Sequence, residues 1–546
     1  MSEFIPRTAP FTEEQRAWLN GFFSGLMGMQ HADSSGISRG GLQAVAEMGM
    51  SMSQTATLQA PPDQQDGDDF PWHDPALSLD ERMELAQGQP LKRRVMAAMA
   101  QLDCGSCGYV CKSYAEALAS GEESNQSLCS PGGKDTRQMI KLLLKQDVAE
   151  AGGVTDAPLR KEPLDAASPA AEQSGYTRKN PYPARLLESR KLNKQGSEKD
   201  VRHVVIDLDG SGMRYEVGDA LGVYPVNCSE LVMRILDKLG AGEMTPVHSP
   251  LGRQVPLFEA LSYDCCLRDP SDELLALLAS RTGCEIERTA LRQWQDQGPP
   301  PGFDVLDALE AGSQARITAD ELMQTLTPLN PRLYSIASSM KHAGSQVHLT
   351  VGKVIYESEG RTRRGVASTM LAERMEIGSQ VRVFVQPNHG GFTVPQEDSA
   401  PMIMVGPGTG IAPFLAFLQE RAARQATGRN WLFFGDQRRH CDFLYEAELQ
   451  EYLQSGVLTR LETAFSRDGE QKVYVQHLMR EHAVELWRWL QEGGHFYVCG
   501  DAARMARDVE RTLLQIIAEQ GKINESRARL YLKELTSAGR YVRDVY

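Results

Sequence analysis

The run Met402-Ile403-Met404-Val405, apolar without a break, passes directly into Gly406-Pro407-Gly408-Thr409-Gly410-Ile411-Ala412-Pro413. A strand without polar alternation is buried on both faces, so it belongs inside a parallel sheet covered by helices above and below. WLFFG from 431 and HFYVCG from 495 are of the same kind, and helical stretches separate them. This predicts an α/β open parallel sheet over 399–546. A glycine-rich turn between a buried strand and a helix presents backbone N–H groups where a dinucleotide pyrophosphate can bind, although the spacing is not GxGxxG. Gly408, Thr409 and Gly410 are the candidate contacts.

Upstream the period changes. VRHVVIDLDGSGMRYEVGDALGVYP alternates like paired strands around a DGSG turn, and alternation returns in RLYSIAS and VHLTVGKVIY. Between them lie the helical runs ELVMRILDKLG, DELLALLASR and FDVLDALEAG. The expectation is an antiparallel β-barrel over 179–398 with a helical insertion at about 229–325. Arg332, Leu333, Tyr334 and Ser335 offer a cation for a pyrophosphate and an aromatic face for a flavin. Gly365, Val366, Ala367, Ser368 and Thr369 open a helix with small residues that let backbone N–H groups approach phosphate oxygens. An ordinary barrel strand and a helix N-cap are the plainer readings of these two motifs. Ser466, Arg467, Lys472, Tyr474 and Gln476 put two cations and a hydroxyl at the edge of the parallel sheet, as a 2′-phosphate requires, which would select NADPH over NADH. A solvated basic rim is the alternative.

Cysteine use is uneven: four of ten crowd into Cys104-x2-Cys107-x3-Cys111-x17-Cys129, with small residues between the first two and Pro131-Gly132-Gly133 after the last. Four thiolates converging from a tight loop can hold a 4Fe-4S cluster or a zinc ion, and unliganded thiols are the third reading. Leu91, Val95, Met96, Met99 and Leu102 precede the cluster at helical spacing, and Met139, Ile140, Leu143 and Leu144 follow it, so 91–149 is expected to be a small α-helical module. Residues 1–90 are expected to hold an amphipathic helix (Trp18, Leu19, Phe22, Phe23, Leu26) and, from about 50, an acidic, Pro-rich linker. The helix stripe would dock on another subunit, making a homo-oligomer, or pack on the chain's own module. Residues 150–178, rich in Ala, Pro and Gly, read as a tether.

Across 546 residues there are 58 Lys and Arg against 72 Asp and Glu, a formal net charge of −14, which disfavours nucleic acid or an anionic membrane as partner. No stretch approaches the roughly 18 apolar residues of a membrane span and the start lacks a signal-peptide pattern, so a cytoplasmic location is expected.

From about 179 to 546 the chain resembles the FAD/NADPH half of the diflavin reductases, most nearly the sulfite reductase flavoproteins. NPYPARLLESRKLN, RYEVGDALGVYP, RLYSIASS, GVAST, GPGTGIAPF, AFSRD, KVYVQHL, YVCGDAARMARDV and GRYVRDVY carry the likeness. The resemblance implies that Arg332, Tyr334, Ser335 and 365–369 hold FAD, and that Ser466, Arg467, Lys472 and Gln476 hold the 2′-phosphate. It implies that Ser335, Cys499 and Asp544 line a hydride-transfer site and that Tyr546 stacks over the flavin until nicotinamide displaces it. CGSCGYVCKSYAEALASGEESNQSLCSPGG is similar to the iron-sulfur modules of corrinoid proteins and ion-pumping electron-transfer complexes, with one residue fewer between the second and third Cys. In the first half, MSMSQTATLQ is the nearest approach to an FMN phosphate loop, with Ala56 where Gly is needed. The expectation is therefore a multidomain flavoprotein in which the four-Cys module stands in place of an FMN domain. It would pass electrons from NADPH through FAD and a cluster to a sirohaem sulfite or nitrite reductase haemoprotein. The rival readings are a stand-alone NADPH diaphorase with a zinc-stabilised module, and a redox-sensing interaction protein.

Overall fold

Three kinds of layer are built from the three periods read above. The computed structural model describes residues 72, 77–101, 109–123, 126, 128–129, 132–150, 175–388, 391–502 and 504–546. These belong to one compact unit spanning Phe70–Tyr546. The amphipathic stripe at Trp18–Leu26, the Asp63–Asp69 segment, Cys104, Cys107 and most of the expected tether lie outside the described residues.

The first layer is helical: α1 Leu79–Leu85, α2 Leu91–Ala98, α3 Cys111–Ala119 and α4 Gly133–Glu150. Val95, Met96, Tyr114, Leu118, Ile140 and Leu143 form its core, and Thr136 donates a hydrogen bond of 2.8 Å to the Ala98 carbonyl. Helix α1 falls within the stretch expected to be linker. Its cause is local: the Glu81 N–H donates to Ser78 Oγ while Glu81 accepts from the Ser78 N–H at 2.7 Å, a capping box inside a Pro- and Asp-rich composition. Arg82 then buries its guanidinium against the Ala97 carbonyl at 3.0 Å.

The second layer is a six-stranded antiparallel sheet of β1 Tyr182–Lys191, β2 Val201–Asp207, β3 Ala220–Val223, β6 Arg332–Ser335, β7 Gln346–Gly352 and β10 Gln380–Gln386. Their order is β6-β3-β10-β1-β2-β7, and a bridge from Ile336 to Leu349 joins the edges. The hairpin expected around the DGSG turn does not form: β2 pairs with β1 and β7, whereas β3 pairs with β10 and β6. The connecting residues instead fold across the sheet, where Tyr215 donates to the Gln346 carbonyl at 2.7 Å and contacts Ser338 Oγ at the same distance. Six helices from Ser229–Leu239 to Ala319–Thr325, with a small hairpin of β4 Pro246–His248 and β5 Gln254–Pro256, make the insertion. A second hairpin, β8 Ile355–Ser358 and β9 Arg361–Arg364, overhangs the sheet.

The third layer is a five-stranded sheet, all parallel: β11 Met402–Val405, β12 Asn430–Asp436, β13 Arg460–Phe465, β14 His495–Gly500 and β15 Tyr541–Val545, in the order β13-β12-β11-β14-β15. Alternate residues of the apolar runs feed opposite cores. Met402, Met404, Leu432, Phe434 and Tyr497 pack on the helix Ala412–Arg424. Ile403, Val405, Trp431, Phe433 and Phe496 pack on Val509, Leu513 and Ile516 of the helix Met505–Gly521. Val201 and Val217 from the antiparallel layer join the first of these cores, so the two sheets share buried apolar surface.

Candidate functional site

The two sheets meet where β6 faces the ends of β14 and β15. Parallel pairing sets Cys499 opposite Asp544, and β6 delivers Ser335 to the same point, so Ser335 Oγ donates to Asp544 Oδ2 at 2.6 Å. The Cys499 thiol points at the same oxygen from 3.7 Å. Cys499 is fully buried, and burial together with the Asp544 charge pushes its thiol far above the ordinary cysteine range. It is therefore a neutral donor and not a thiolate nucleophile.

The glycine turn closes over this trio. Gly408 adopts φ +59°, and a Cβ on Gly410 would lie 2.1 Å from the Cys499 carbonyl oxygen, so only glycine lets the turn come this close. Thr409 Oγ1 lies 2.8 Å from the Tyr546 hydroxyl. Tyr546 is held as a strand extension: its N–H donates to the Gly500 carbonyl at 3.0 Å and its carbonyl accepts from the Ala502 N–H at 3.1 Å. Tyr546 is 42% exposed and lines a cavity of about 740 Å³.

The same cavity is walled by Arg332, Leu333, Tyr334 and the whole turn Gly365–Thr369, so the motifs singled out in the antiparallel half converge on one space. Arg332 donates to the Asn330 carbonyl at 2.9 Å. Val366–Thr369 is helical and continues as a π-turn over Met370–Arg374, with the Thr369 hydroxyl donating to the Gly365 carbonyl at 2.8 Å. Arg364 and Arg374 also line the cavity. A concave space with guanidinium groups, tyrosine rings and a helix-opening turn on its walls fits a dinucleotide with a planar aromatic ring.

Composition and spacing left one wall unread. Arg361 and Arg363 of β9 reach Asp304 and Asp307, which themselves cap the helix Val305–Ala311. Arg363 is 2.9 Å from Asp304 and from Asp307, and Arg361 is 3.0 Å from Asp304. This buried ion cluster ties the overhanging hairpin to the insertion. RTRR was the available signal, but nothing local names its acidic partners.

At the edge of the parallel sheet, Ser466 N–H donates to the Asp436 carbonyl at 2.9 Å, and the Arg467 N–H to the Gln437 carbonyl at 2.8 Å. Among the described residues, exposed Lys472 has no ion-pair partner. Tyr474, 42% exposed, precedes the helix Val475–Glu481, and Gln476 Nε2 donates to Asp508 at 3.4 Å. Arg438, which no motif singles out although it opens the basic run RRH after β12, stands with Arg467: both contact the carboxylate of Glu198.

In the helical module Cys111 opens α3, and Cys129 lies before α4; both pack against the one module core. Cys104 and Cys107 lie outside the described residues. Among the described residues no three His, Cys, Asp or Glu side chains are gathered as a metal site, and no helix is long and apolar enough to cross a membrane.

Fold and site together define an oxidoreductase class with an FAD-binding and an NAD-binding domain. Family models match three parts of the chain: "FAD binding domain" matches 175–257 and 274–370, "Oxidoreductase NAD-binding domain" matches 404–511, and "Putative Fe-S cluster" matches 99–131. Sulfite reductase [NADPH] flavoprotein alpha-components are similar along most of the chain. The protein of Bacillus subtilis is 41% identical over 451 residues, 80% of this chain and 74% of its own. That of Vibrio cholerae is 44% identical over 416 residues, 75% of this chain and 66% of its own. That of Vibrio parahaemolyticus is 46% identical over 378 residues, 69% and 60%. The chain belongs to the sulfite reductase [NADPH] flavoprotein alpha-component family, and it spans 66% and 60% of the length of the two Vibrio relatives.

Proposed function

We propose that the chain oxidises NADPH on a bound FAD and passes the electrons singly through a 4Fe-4S cluster to a sirohaem haemoprotein, sulfite reductase first and nitrite reductase second. The observation that carries this reading is the convergence of Ser335, Cys499 and Asp544 beside Tyr546 and Thr409, with the hydroxyl of Ser335 2.6 Å from the Asp544 carboxylate. The antiparallel sheet, its edges joined at Ile336 and Leu349, is read as the flavin-holding barrel. Arg332, Tyr334 and the turn Gly365–Thr369 would hold FAD, which when bound supplies hydride acceptance and one-electron release.

The chain's own groups position and screen. The Ser335 hydroxyl and the Cys499 thiol each direct their one hydrogen to Asp544, which fixes both side chains at the reacting edge and offsets the carboxylate charge there. Tyr546 covers the place that nicotinamide must enter, and the shared apolar core behind the turn excludes solvent. Gly408, Thr409 and Gly410 would receive the pyrophosphate, and Ser466, Arg467, Lys472, Tyr474 and Gln476 the 2′-phosphate end.

Cys104, Cys107, Cys111 and Cys129 would bind the cluster, and we read this module as performing the electron-splitting step that an FMN domain performs in diflavin reductases. The test is the visible spectrum of anaerobically purified protein before and after NADPH, with iron and acid-labile sulfide analysis. Flavin bleaching together with loss of a broad charge-transfer band near the flavin is expected. Zinc without sulfide makes the module structural, and an unbleached flavin removes the reductase reading.

A further inference from the structure

The loop 192–200, which joins β1 to β2 in the antiparallel layer, lies clamped on the parallel layer. Lys194 N–H donates to the Cys441 carbonyl at 2.9 Å and its ammonium to Glu446 at 2.8 Å. Asn193 donates to buried Asp442 at 3.0 Å, Ser197 donates to the same oxygen, and Lys199 pairs with Asp436. One acidic side chain of the loop has a different destination. Glu198 Oε2 accepts from Arg467 at 2.7 Å, and Oε1 accepts from both terminal nitrogens of Arg438 at 3.3 Å. Bonds from Arg467 and then Arg438 hold the Glu198 carboxyl below the usual glutamate range.

An anionic oxygen pair bridging two guanidinium groups is what a phosphate monoester would also present at this rim. We propose that Glu198 is an internal stand-in for the 2′-phosphate: its carboxylate occupies the Arg438 and Arg467 pair in the free protein, and the phosphate of an entering NADP(H) displaces it. This rests on the reading of that rim as the 2′-phosphate site. The neighbouring anchors at Asn193, Lys194, Ser197 and Lys199 keep the loop in place when the carboxylate leaves, so Glu198 exchanges by side-chain rotation alone. Three consequences follow from the competition. The two arginines are held near their working positions without a ligand, NADP(H) affinity is set below what the bare pair would give, and the returning carboxylate speeds release of the oxidised nucleotide.

The pair is exposed to solvent, with 58% of the Glu198 side chain accessible, so its effect is modest: removing the competitor should tighten binding about three- to tenfold. Calorimetry with 2′,5′-ADP and 5′-ADP tests this on the full chain. Glu198→Gln should tighten 2′,5′-ADP by that factor with no matching gain for 5′-ADP, and most of the gain should vanish when Arg467→Ala is added. Unchanged or weaker binding of 2′,5′-ADP by Glu198→Gln overturns the stand-in role, as does a gain that persists in full without Arg467. Failure of the site reading is separately visible: Arg467→Ala alone would then weaken 2′,5′-ADP no more than 5′-ADP.

Discussion

Tyr546→Ala separates a covering ring from an untethered terminus. The residue is 42% exposed, so of the roughly 150–250 Å² an aromatic residue can bury, about 100 Å² is in contact with protein, worth ~2.5 kcal/mol. The hydroxyl contact with Thr409 at 2.8 Å adds about 1 kcal/mol. Nicotinamide must replace most of this when it enters, and new contacts to the displaced ring recover part, leaving a penalty of about 1.5–2.5 kcal/mol. Truncation removes that penalty, so kcat/KM for NADH should rise by about ten- to seventyfold. The backbone bonds from Tyr546 to Gly500 and Ala502 do not involve the side chain and persist in the variant, so the end of β15 keeps its place. The assay is steady-state reduction of ferricyanide with NADH and NADPH, alongside the flavin absorption spectrum. A kcat/KM for NADH within twofold of the parent, with an unshifted spectrum, would refute the covering role.

Arg363→Ala should leave Asp304 and Asp307 with Arg361 alone, costing about 3 kcal/mol and loosening the cavity wall; a thermal midpoint and flavin retention both equal to the parent would show the cluster is dispensable. His203, 3.0 Å from the Tyr445 hydroxyl across the sheet junction, is held down to about 4 from 6.5 by burial and then by His348. The unfolded chain therefore binds more protons between about 4 and 6.5, so the stabilisation is complete above 6.5 and is lost as pH falls through that window, on the order of 3 kcal/mol in all. His203→Gln should flatten the acid limb of the thermal midpoint against pH, and an unchanged slope counts against it. Cys107→Ala should remove the cluster signal and electron delivery to a sulfite reductase haemoprotein while NADPH still bleaches the flavin; delivery at the parent rate by folded, cluster-free protein would make the module structural.

What could be read from residues alone divides along a physical line. MIMV, WLFFG and HFYVCG state their own environment, because a strand apolar on both sides has nowhere to lie except between two helical layers, and the parallel sheet follows. The glycine turn was legible for a related reason: a Cβ at 410 would lie 2.1 Å from the Cys499 carbonyl oxygen, so the constraint is written at a single position. Partner choice has no such local record. The DGSG turn has the residues of a hairpin, yet β2 and β3 take other neighbours, because pairing is decided by burial of both faces and not by the turn between them. The clearest cases are charges: Arg363 and Asp304 are 59 residues apart and Arg467 and Glu198 are 269 apart. Each looks like a solvated surface group until the fold supplies a counter-ion. Basic residues near a suspected phosphate site are therefore half of a statement, and the other half is whichever carboxylate the topology brings to them when the nucleotide is not there. In this chain that carboxylate comes from the opposite layer, on a loop that Asn193, Lys194 and Lys199 anchor independently at the junction between the two sheets.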